Sequence, residues 1–284
     1  MGLFVPSGGG FNYVTGNVLT TRPGGTFGTV ITPAQNAYGL YTEILSDASV
    51  TKDCFGVMLN INGINTSNNI KDSLTTIGID TAGGTSYVDL IPNLLTSCAA
   101  AYANGMGGHW YYFPLYIPAG SAIAAKGSVN NATVGTQRVA IWLYGAPANP
   151  ATVYAGQGVE SIGVTLASSS GTAVTAGTTN DGAWTSLGTT TKKCFAWAFG
   201  MGVADASLSA GGLYHGDLSY GDGTNQIIID QDKYFHVNAT AEDLSGQLRP
   251  PAYCDVPAGG GIYGRLQCSG TADSALSMAA YGVY

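Results

Sequence analysis

Residues 117–123 read IPAGSAI, and residues 256–262, which lie 139 positions later, read VPAGGGI. The chain therefore contains one distinctive turn twice. At the same offset Lys126 matches Arg265. Internal self-similarity of this kind is the strongest sequence signal of a duplicated architecture.

Further matches follow in the same order along the chain. Residues 51–55 (TKDCF) match residues 191–195 (TKKCF) at an offset of 140. At an offset of 143 the glycines and threonines Gly28, Thr32, Gly39 and Thr42 match Gly171, Thr175, Gly182 and Thr185. Small offset changes are what short loop insertions produce, so the matches predict two copies of one fold.

One strand in each repeat is marked by strict alternation. Residues 55–62 (FGVMLNIN) and residues 195–202 (FAWAFGMG) place large apolar side chains at every second position. A period of two is typical of a strand with one face on a core. We therefore predict a core that includes Phe55, Val57, Leu59, Phe195, Trp197 and Phe199.

Glycine-rich turns separate the other apolar segments. Residues 74–91 and residues 213–229 each read as a hairpin. The Pro-Ala-Gly turns fit a type I turn with Pro at the second position and Gly at the fourth. Residues 93–102 suit a short helix, although the matching part of the second repeat does not.

Each repeat offers seven or eight short strands, which predicts an all-β chain of two tandem, internally duplicated, jelly-roll-like β-sandwich domains. The predicted domains are an extended N-terminal arm of residues 1–27, a first β-sandwich of residues 28–145, a linker of residues 146–167 and a second β-sandwich of residues 168–284.

The composition of the chain argues against several classes of function. Only 10% of the 284 residues are charged, against roughly 25% in ordinary soluble domains. The net charge of −7 and the absence of a Lys/Arg cluster argue against nucleic-acid binding. No apolar run reaches the ~18 residues of a membrane span. The start of the sequence lacks secretory features, so we expect synthesis in a cytoplasm without a signal peptide.

Catalytic and metal-binding signals are weak. The three histidines lack zinc-ligand spacing, and no G-x-S-x-G motif occurs. We therefore predict no enzyme activity, no cofactor and no metal site. One alternative stays open, because Asp217, Asp222, Asp230 and Asp232 have oxygen ligands that suit Ca²⁺. The five cysteines form no C-x-x-C pair, so we predict free thiols and no disulfides.

Aromatic residues are the remaining candidates for function. Residues 110–113 (WYYF) place two aromatics on each face of a predicted strand, and Tyr38, Tyr41 and Trp184 lie near loops. Such side chains can belong to the core, to a subunit interface or to a sugar-stacking surface.

The N-terminal arm is apolar but is interrupted by glycine and proline. It cannot form a core of its own, so burial elsewhere must offset its ordering entropy. We predict that it is an assembly interface, and the alternative is that it lies back on its own first sandwich. Its candidate interface residues are Leu3, Phe4, Val5, Phe11 and Tyr13.

Three segments together resemble uncharacterised virion structural proteins of tailed bacteriophages. They are residues 80–87 (DTAGGTSY), 112–121 (YFPLYIPAGS) and 138–145 (RVAIWLYG). The resemblance implies a non-enzymatic β-sandwich component of the virion, such as a capsid decoration protein or a tail or fibre subunit. Its partners would be other copies of itself and a major capsid or tail protein. The alternative is a carbohydrate- or receptor-binding module that contacts host surface glycan.

Overall fold

A computed structural model describes most of the chain as β-structure. The described residues are 13–15, 28–64, 71–98, 108–130, 135–145, 154–203, 212–238, 243–270 and 276–284. Within these ranges, no helix has the length and apolar character that crossing a membrane would require.

The first sandwich packs two sheets face to face. One sheet, called sheet I, has the order β1-β10-β5-β8, with β2 also paired to β10; the other contains β3, β4, β9, β6 and β7. The strands are β1 (Tyr13–Thr15), β2 (Thr29–Ile31), β3 (Ala34–Gln35), β4 (Thr42–Leu45), β5 (Cys54–Ile64), β6 (Lys71–Asp80), β7 (Val88–Cys98), β8 (His109–Phe113), β9 (Ala122–Val129) and β10 (Thr136–Gly145).

The second sandwich repeats this topology. Its sheet II has the order β12-β13-β22-β16-β20, with β11 also paired to β22, and its other sheet contains β14, β15, β21, β17, β18 and β19. The strands are β11 (Val159–Ile162), β12 (Val164–Thr165), β13 (Ser170–Ala173), β14 (Ala176–Gly177), β15 (Thr185–Thr189), β16 (Cys194–Val203), β17 (Gly212–Gly221), β18 (Gln226–Asn238), β19 (Asp243–Gly246), β20 (Ala252–Val256), β21 (Gly261–Cys268) and β22 (Leu276–Val283).

Strand pairings confirm the duplicated β-sandwich fold. β10 lies between β5 and the short strands β1 and β2, and β22 lies in the same way between β16 and the short strands β11 and β13. β11 and β12 fall within residues 146–167, the predicted linker, and β11 pairs with the second sandwich. Both predicted hairpins are present as β6–β7 and β17–β18.

Even an irregularity is shared by the two sandwiches. Asn93 in β7 and Asp232 in β18 both adopt the left-handed conformation, with φ of 57° and 54°. At each site two residues stand opposite one on the neighbouring strand, which is a β-bulge. The prediction of a short helix over residues 93–102 is therefore wrong for residues 93–98, because strand pairing with β6 overrides local helix propensity. Residues 99–102 lie outside the described residues.

The Pro-Ala-Gly turns also differ from the prediction. Ser121 N donates to Pro118 O at 3.3 Å and Gly260 N donates to Pro257 O at 3.1 Å, so each proline stands first in its turn. Gly120, third in the first turn, has φ of +77°. A positive φ at the third position is typical of type II, and it explains why glycine recurs there.

The predicted core is confirmed at four of its six positions. Val57, Leu59, Trp197 and Phe199 are fully buried, and each contributes about 1.5–3 kcal/mol by burial. The prediction was wrong for Phe55 and Phe195, which are only partly buried. Strand register shifts at this point in both sandwiches. The Phe55 ring contacts Tyr116, and the Phe195 ring contacts Tyr154 and packs against the first core.

The two sandwiches are joined into one packed unit. β19 pairs with β7, so one continuous sheet, called the shared sheet, passes through both sandwiches. β22 is buried on both faces: Met278 and Ala280 point into the second core, whereas Ala279 and Tyr281 pack with the first. This double burial explains why β22 is almost entirely apolar.

Two of the cysteines are equivalent core residues. Cys54 and Cys194 occupy equivalent positions and are buried as small hydrophobic residues. Every cysteine whose side chain is described is free, namely Cys54, Cys194, Cys254 and Cys268.

Candidate functional site

The contact between the sandwiches is centred on Tyr281 of β22. Its hydroxyl accepts a hydrogen bond from Leu95 N at 2.6 Å and donates to Asn93 O at 3.1 Å. Its ring meets Tyr111 and Phe113 edge-on, at centroid distances of 5.5 and 6.2 Å. Burial raises the pKa of Tyr281, so the hydroxyl stays a proton donor at neutral pH. One side chain therefore satisfies the backbone of β7 and fills an aromatic pocket.

A buried polar network flanks this anchor. Asp72 accepts hydrogen bonds from Ser97 Oγ at 2.5 Å and from Ser277 Oγ at 2.8 Å. Val203 N in turn donates to Ser97 Oγ at 2.9 Å. Burial raises the pKa of Asp72 to about 6, although these hydrogen bonds work in the opposite direction. The network therefore links β6 and β7 of the first sandwich to β16 and β22 of the second through buried hydrogen bonds.

A lysine is buried next to the same contact. Lys233 Nζ donates to Phe199 O and lies 5.1 to 5.5 Å from the ring centroids of Tyr111, Phe199 and Phe235. Burial lowers the pKa of Lys233 to about 8, and the aromatic faces compensate part of the cost of its charge. The hydrogen bond and the ring contacts of Lys233 are all made within the folded chain, so we assign this side chain a structural role.

The outward face of sheet I carries paired aromatic side chains. Trp110 and Trp142 stack with a centroid distance of 5.4 Å, and Tyr112 meets Tyr144 edge-on at 6.0 Å. Met58 lies opposite both Trp142 and Tyr112. These five residues, all partly buried, are called the aromatic face. Residues 110–113 thus divide as predicted, with two aromatic side chains on each side of β8.

A second cluster lies on the outer face of the shared sheet in the first sandwich. Lys126 Nζ lies 4.5 Å from the ring centroids of both Tyr38 and Tyr41 and 2.8 Å from Asp89 Oδ1. The Tyr41 hydroxyl donates to the same carboxylate, and its ring contacts Tyr87 at 5.2 Å. The cluster combines stacking surface, a cation and an acceptor of hydrogen bonds.

The second sandwich carries the same arrangement. Arg265, the counterpart of Lys126, lies over the ring of Trp184 at 4.4 Å. Its guanidinium binds Asp217 at 2.7 and 2.8 Å and Asp181 at 2.7 Å. Trp184 is the counterpart of Tyr41, since each directly precedes a matched threonine. Both matches are visible in the sequence, but only the folded chain shows that the cation and the ring meet.

The predicted acidic cluster is only partly brought together. Asp217 and Asp232 converge with His215, and ligand atoms of the three lie within 4.8 Å of one another. The other two are engaged elsewhere: Asp230 lies 3.3 Å from Arg249, and Asp222 accepts backbone hydrogen bonds within its own turn. The positive charge of Arg265 on Asp217 opposes a metal cation at this position.

The structure reaches only one of the predicted arm residues. Tyr13 begins β1, whose backbone pairs with Tyr144 in its own sandwich. The other candidates, Leu3, Phe4, Val5 and Phe11, lie outside the described residues. The assembly role of the arm therefore stays a prediction.

Comparisons with known proteins find distant likenesses among solved structures. No family model matches the chain, and no curated protein matches it either. A structure of PNGF-II matches with 7% identity and a TM-score of 0.38, over 96% of this chain and 65% of that chain. The N-terminal CBM22-1-CBM22-2 tandem domain from Paenibacillus barcinonensis Xyn10C matches with 13% identity and a TM-score of 0.28, over 96% and 97%. The chain thus spans less than two thirds of PNGF-II, and likenesses this distant carry no inference about function. The class that the fold itself defines is a double β-sandwich protein.

Proposed function

We propose that the chain is a non-enzymatic structural subunit of a tailed-bacteriophage particle, acting through protein–protein assembly. Its place would be that of a capsid decoration protein or a tail or fibre subunit. The partners would be other molecules of the same chain and a major capsid or tail protein.

The observation that carries this proposal is the aromatic face. Tyr and Trp are enriched at protein interfaces and dominate their binding energy, because they bury large areas at low entropic cost. Here two stacked aromatic pairs, Trp110 with Trp142 and Tyr112 with Tyr144, lie side by side on one partly exposed sheet surface. The resemblance of three segments to virion proteins and the low charge of the chain support the same function.

Purified phage particles provide the test. Mass spectrometry of particles washed in high salt should find the chain at a fixed copy number, and labelled antibody should locate it by electron microscopy. The proposal is wrong if the chain stays in the host lysate and is absent from washed particles.

Glycan binding is the second candidate, and the duplicated cation–aromatic cluster favours it. Tyr41, Tyr87 and Trp184 are partly exposed rings on which a sugar can stack, and the carboxylates beside them can accept its hydroxyl hydrogen bonds. Two such clusters on one packed chain would bind a multivalent glycan with increased avidity.

A glycan array followed by calorimetry tests this candidate. Tyr41→Ala and Trp184→Ala should each remove one binding site, and the double variant should remove both. Tyr116→Ala, which truncates an exposed ring away from both clusters, serves as the matched control. Binding that survives in the double variant would contradict glycan binding at these clusters.

A further inference from the structure

The contact between the two sandwiches uses two different surfaces. The second sandwich contributes the outward face of sheet II, where Tyr281 projects. The first sandwich contributes the outer side of β7, where Asn93 and Leu95 receive it. Because the fold is duplicated, the strands that form these two surfaces occur a second time in the chain.

The second version of the projecting surface is the aromatic face. In sheet I, Met58 stands opposite Trp142; in sheet II, Ala198 stands opposite Tyr281. Since β5 and β16 match at an offset of 140, Trp142 occupies the position of Tyr281. Tyr281 is fully buried inside the chain, whereas Trp142 remains partly exposed.

The second version of the receiving surface lies on β18. The shared bulge places Asp232 at the position of Asn93, and strand pairing places Tyr234 at the position of Leu95. Leu95 is fully buried, but Tyr234 is 38% exposed. These two residues on β18, Asp232 and Tyr234, are called the receiving patch. An aromatic side chain is thus exposed at a position that the first sandwich buries.

We propose that a second molecule of this chain docks head-to-tail, with the aromatic face of one molecule on the receiving patch of the next. The contact would use, between molecules, positions equivalent to Tyr281, Asn93 and Leu95, which join the sandwiches within one molecule. The indole N–H of Trp142 provides a donor where Tyr281 provides a hydroxyl, and Asp232 provides acceptors where Asn93 does. The inference rests on the proposed assembly function and names its partner.

Such a contact joins two unlike surfaces, so it is heterologous. A heterologous contact leaves one free surface of each kind after every addition, and it therefore produces a closed ring or an open filament. This property allows the proposal to be distinguished from a symmetric dimer, in which the same patch meets itself.

The test uses the full chain and sedimentation equilibrium. Trp142→Glu should disable the aromatic face and Tyr234→Glu the receiving patch, and each should weaken self-association by about 100-fold or more, as the loss of a central aromatic anchor does. An equimolar mixture of the two variants should form a 1:1 dimer and nothing larger, because only one intact contact remains. Leu40→Glu, at a side chain that is 89% exposed and belongs to neither surface, should assemble like the wild type.

Folding is monitored separately by urea denaturation of each variant. If Trp142→Glu does not fold, Tyr144→Glu replaces it on the same face. The proposal is overturned if the wild type stays monomeric at a protein concentration about 100-fold above a micromolar Kd. It is also overturned if the mixed variants stay monomeric. Neither outcome affects whether the chain is found in washed particles, so failure here is distinct from failure of the proposed function.

Discussion

Replacing Tyr281 by Phe isolates the polar part of the contact between the sandwiches. The substitution keeps the ring, so the edge-on packing against Tyr111 and Phe113 is retained. Only the hydroxyl is lost, and with it the hydrogen bonds to Leu95 N and Asn93 O.

The expected cost depends on whether water can replace the lost hydrogen bond at each of these two backbone groups. Leu95 is fully buried, so its N–H would lose its acceptor without access to water, which costs about 1–3 kcal/mol. Asn93 is partly exposed, and water can replace the lost donor at its carbonyl. We therefore expect the free energy of unfolding to fall by about 2 kcal/mol.

Urea denaturation followed by tryptophan fluorescence measures this loss. The transition midpoint should fall while its slope is unchanged, because the folded state keeps its buried area. Tyr144→Phe is the matched control, since Tyr144 is partly exposed and its hydroxyl donates a weak hydrogen bond to the Met58 sulfur at 3.5 Å. The effect of this substitution should stay under about 0.5 kcal/mol. Equal effects of the two substitutions would refute the role assigned to Tyr281.

Three further predictions concern the core, pH and thiols. Trp197→Ala removes a fully buried ring and should cost about 3–5 kcal/mol in urea denaturation; a loss under about 1 kcal/mol would contradict it. The folded-state pKa of Asp72 is raised to about 6, so its contribution to stability is complete below about pH 4 and is lost as the pH rises through 6. The free energy of unfolding of the wild type should therefore decline by about 2–3 kcal/mol between pH 4 and 7. Asp72→Asn should remove this decline, and an unchanged decline would refute the prediction. Thiol titration in denaturant without reductant should find all five cysteines free, and three or fewer would exclude the prediction.

The duplicated fold could be predicted because its matches fall where backbone geometry restricts the residue type. Gly120 and Gly259, with φ of +77° and +82°, are the third residues of the two repeated turns. Few other residues adopt this conformation, so the turns stay recognisable in the sequence. Alternation then identified β5 and β16, because each has one face on a core.

The failures have an equally specific cause. Phe55 and Phe195 continue the apolar alternation, but the register shifts beside them leave both side chains only partly buried. Leu94 and Leu95 suit a helix, yet pairing with β6 holds residues 94–98 in a strand. Neither a bulge nor a pairing partner is a local property, so a pattern of residue types does not predict them.

The candidate sites were predictable only in part for the same reason. Lys126 and Arg265 match in the sequence, and so do Tyr41 and Trp184, but the matches occur at different offsets. Only strand pairing places each cation over its ring. Tyr281 gives no sequence signal at all, because its role depends on a contact with Leu95, which lies 186 positions earlier in the chain.

The outward faces of sheets I and II are equivalent surfaces that carry different side chains, and these side chains suit different kinds of contact. On sheet II the positions beside Tyr281 include Gly200 and Gly202; a Cβ atom at these sites would collide with the Tyr111 hydroxyl and the Asp72 carboxylate. On sheet I the same positions carry Asn60 and Asn62, and Trp142 replaces Tyr281. Glycine allows the close, permanent approach that joins the sandwiches within one chain. Larger side chains keep the equivalent surface of sheet I from packing so closely, and a projecting aromatic face suits the proposed contact, which must form between separate molecules.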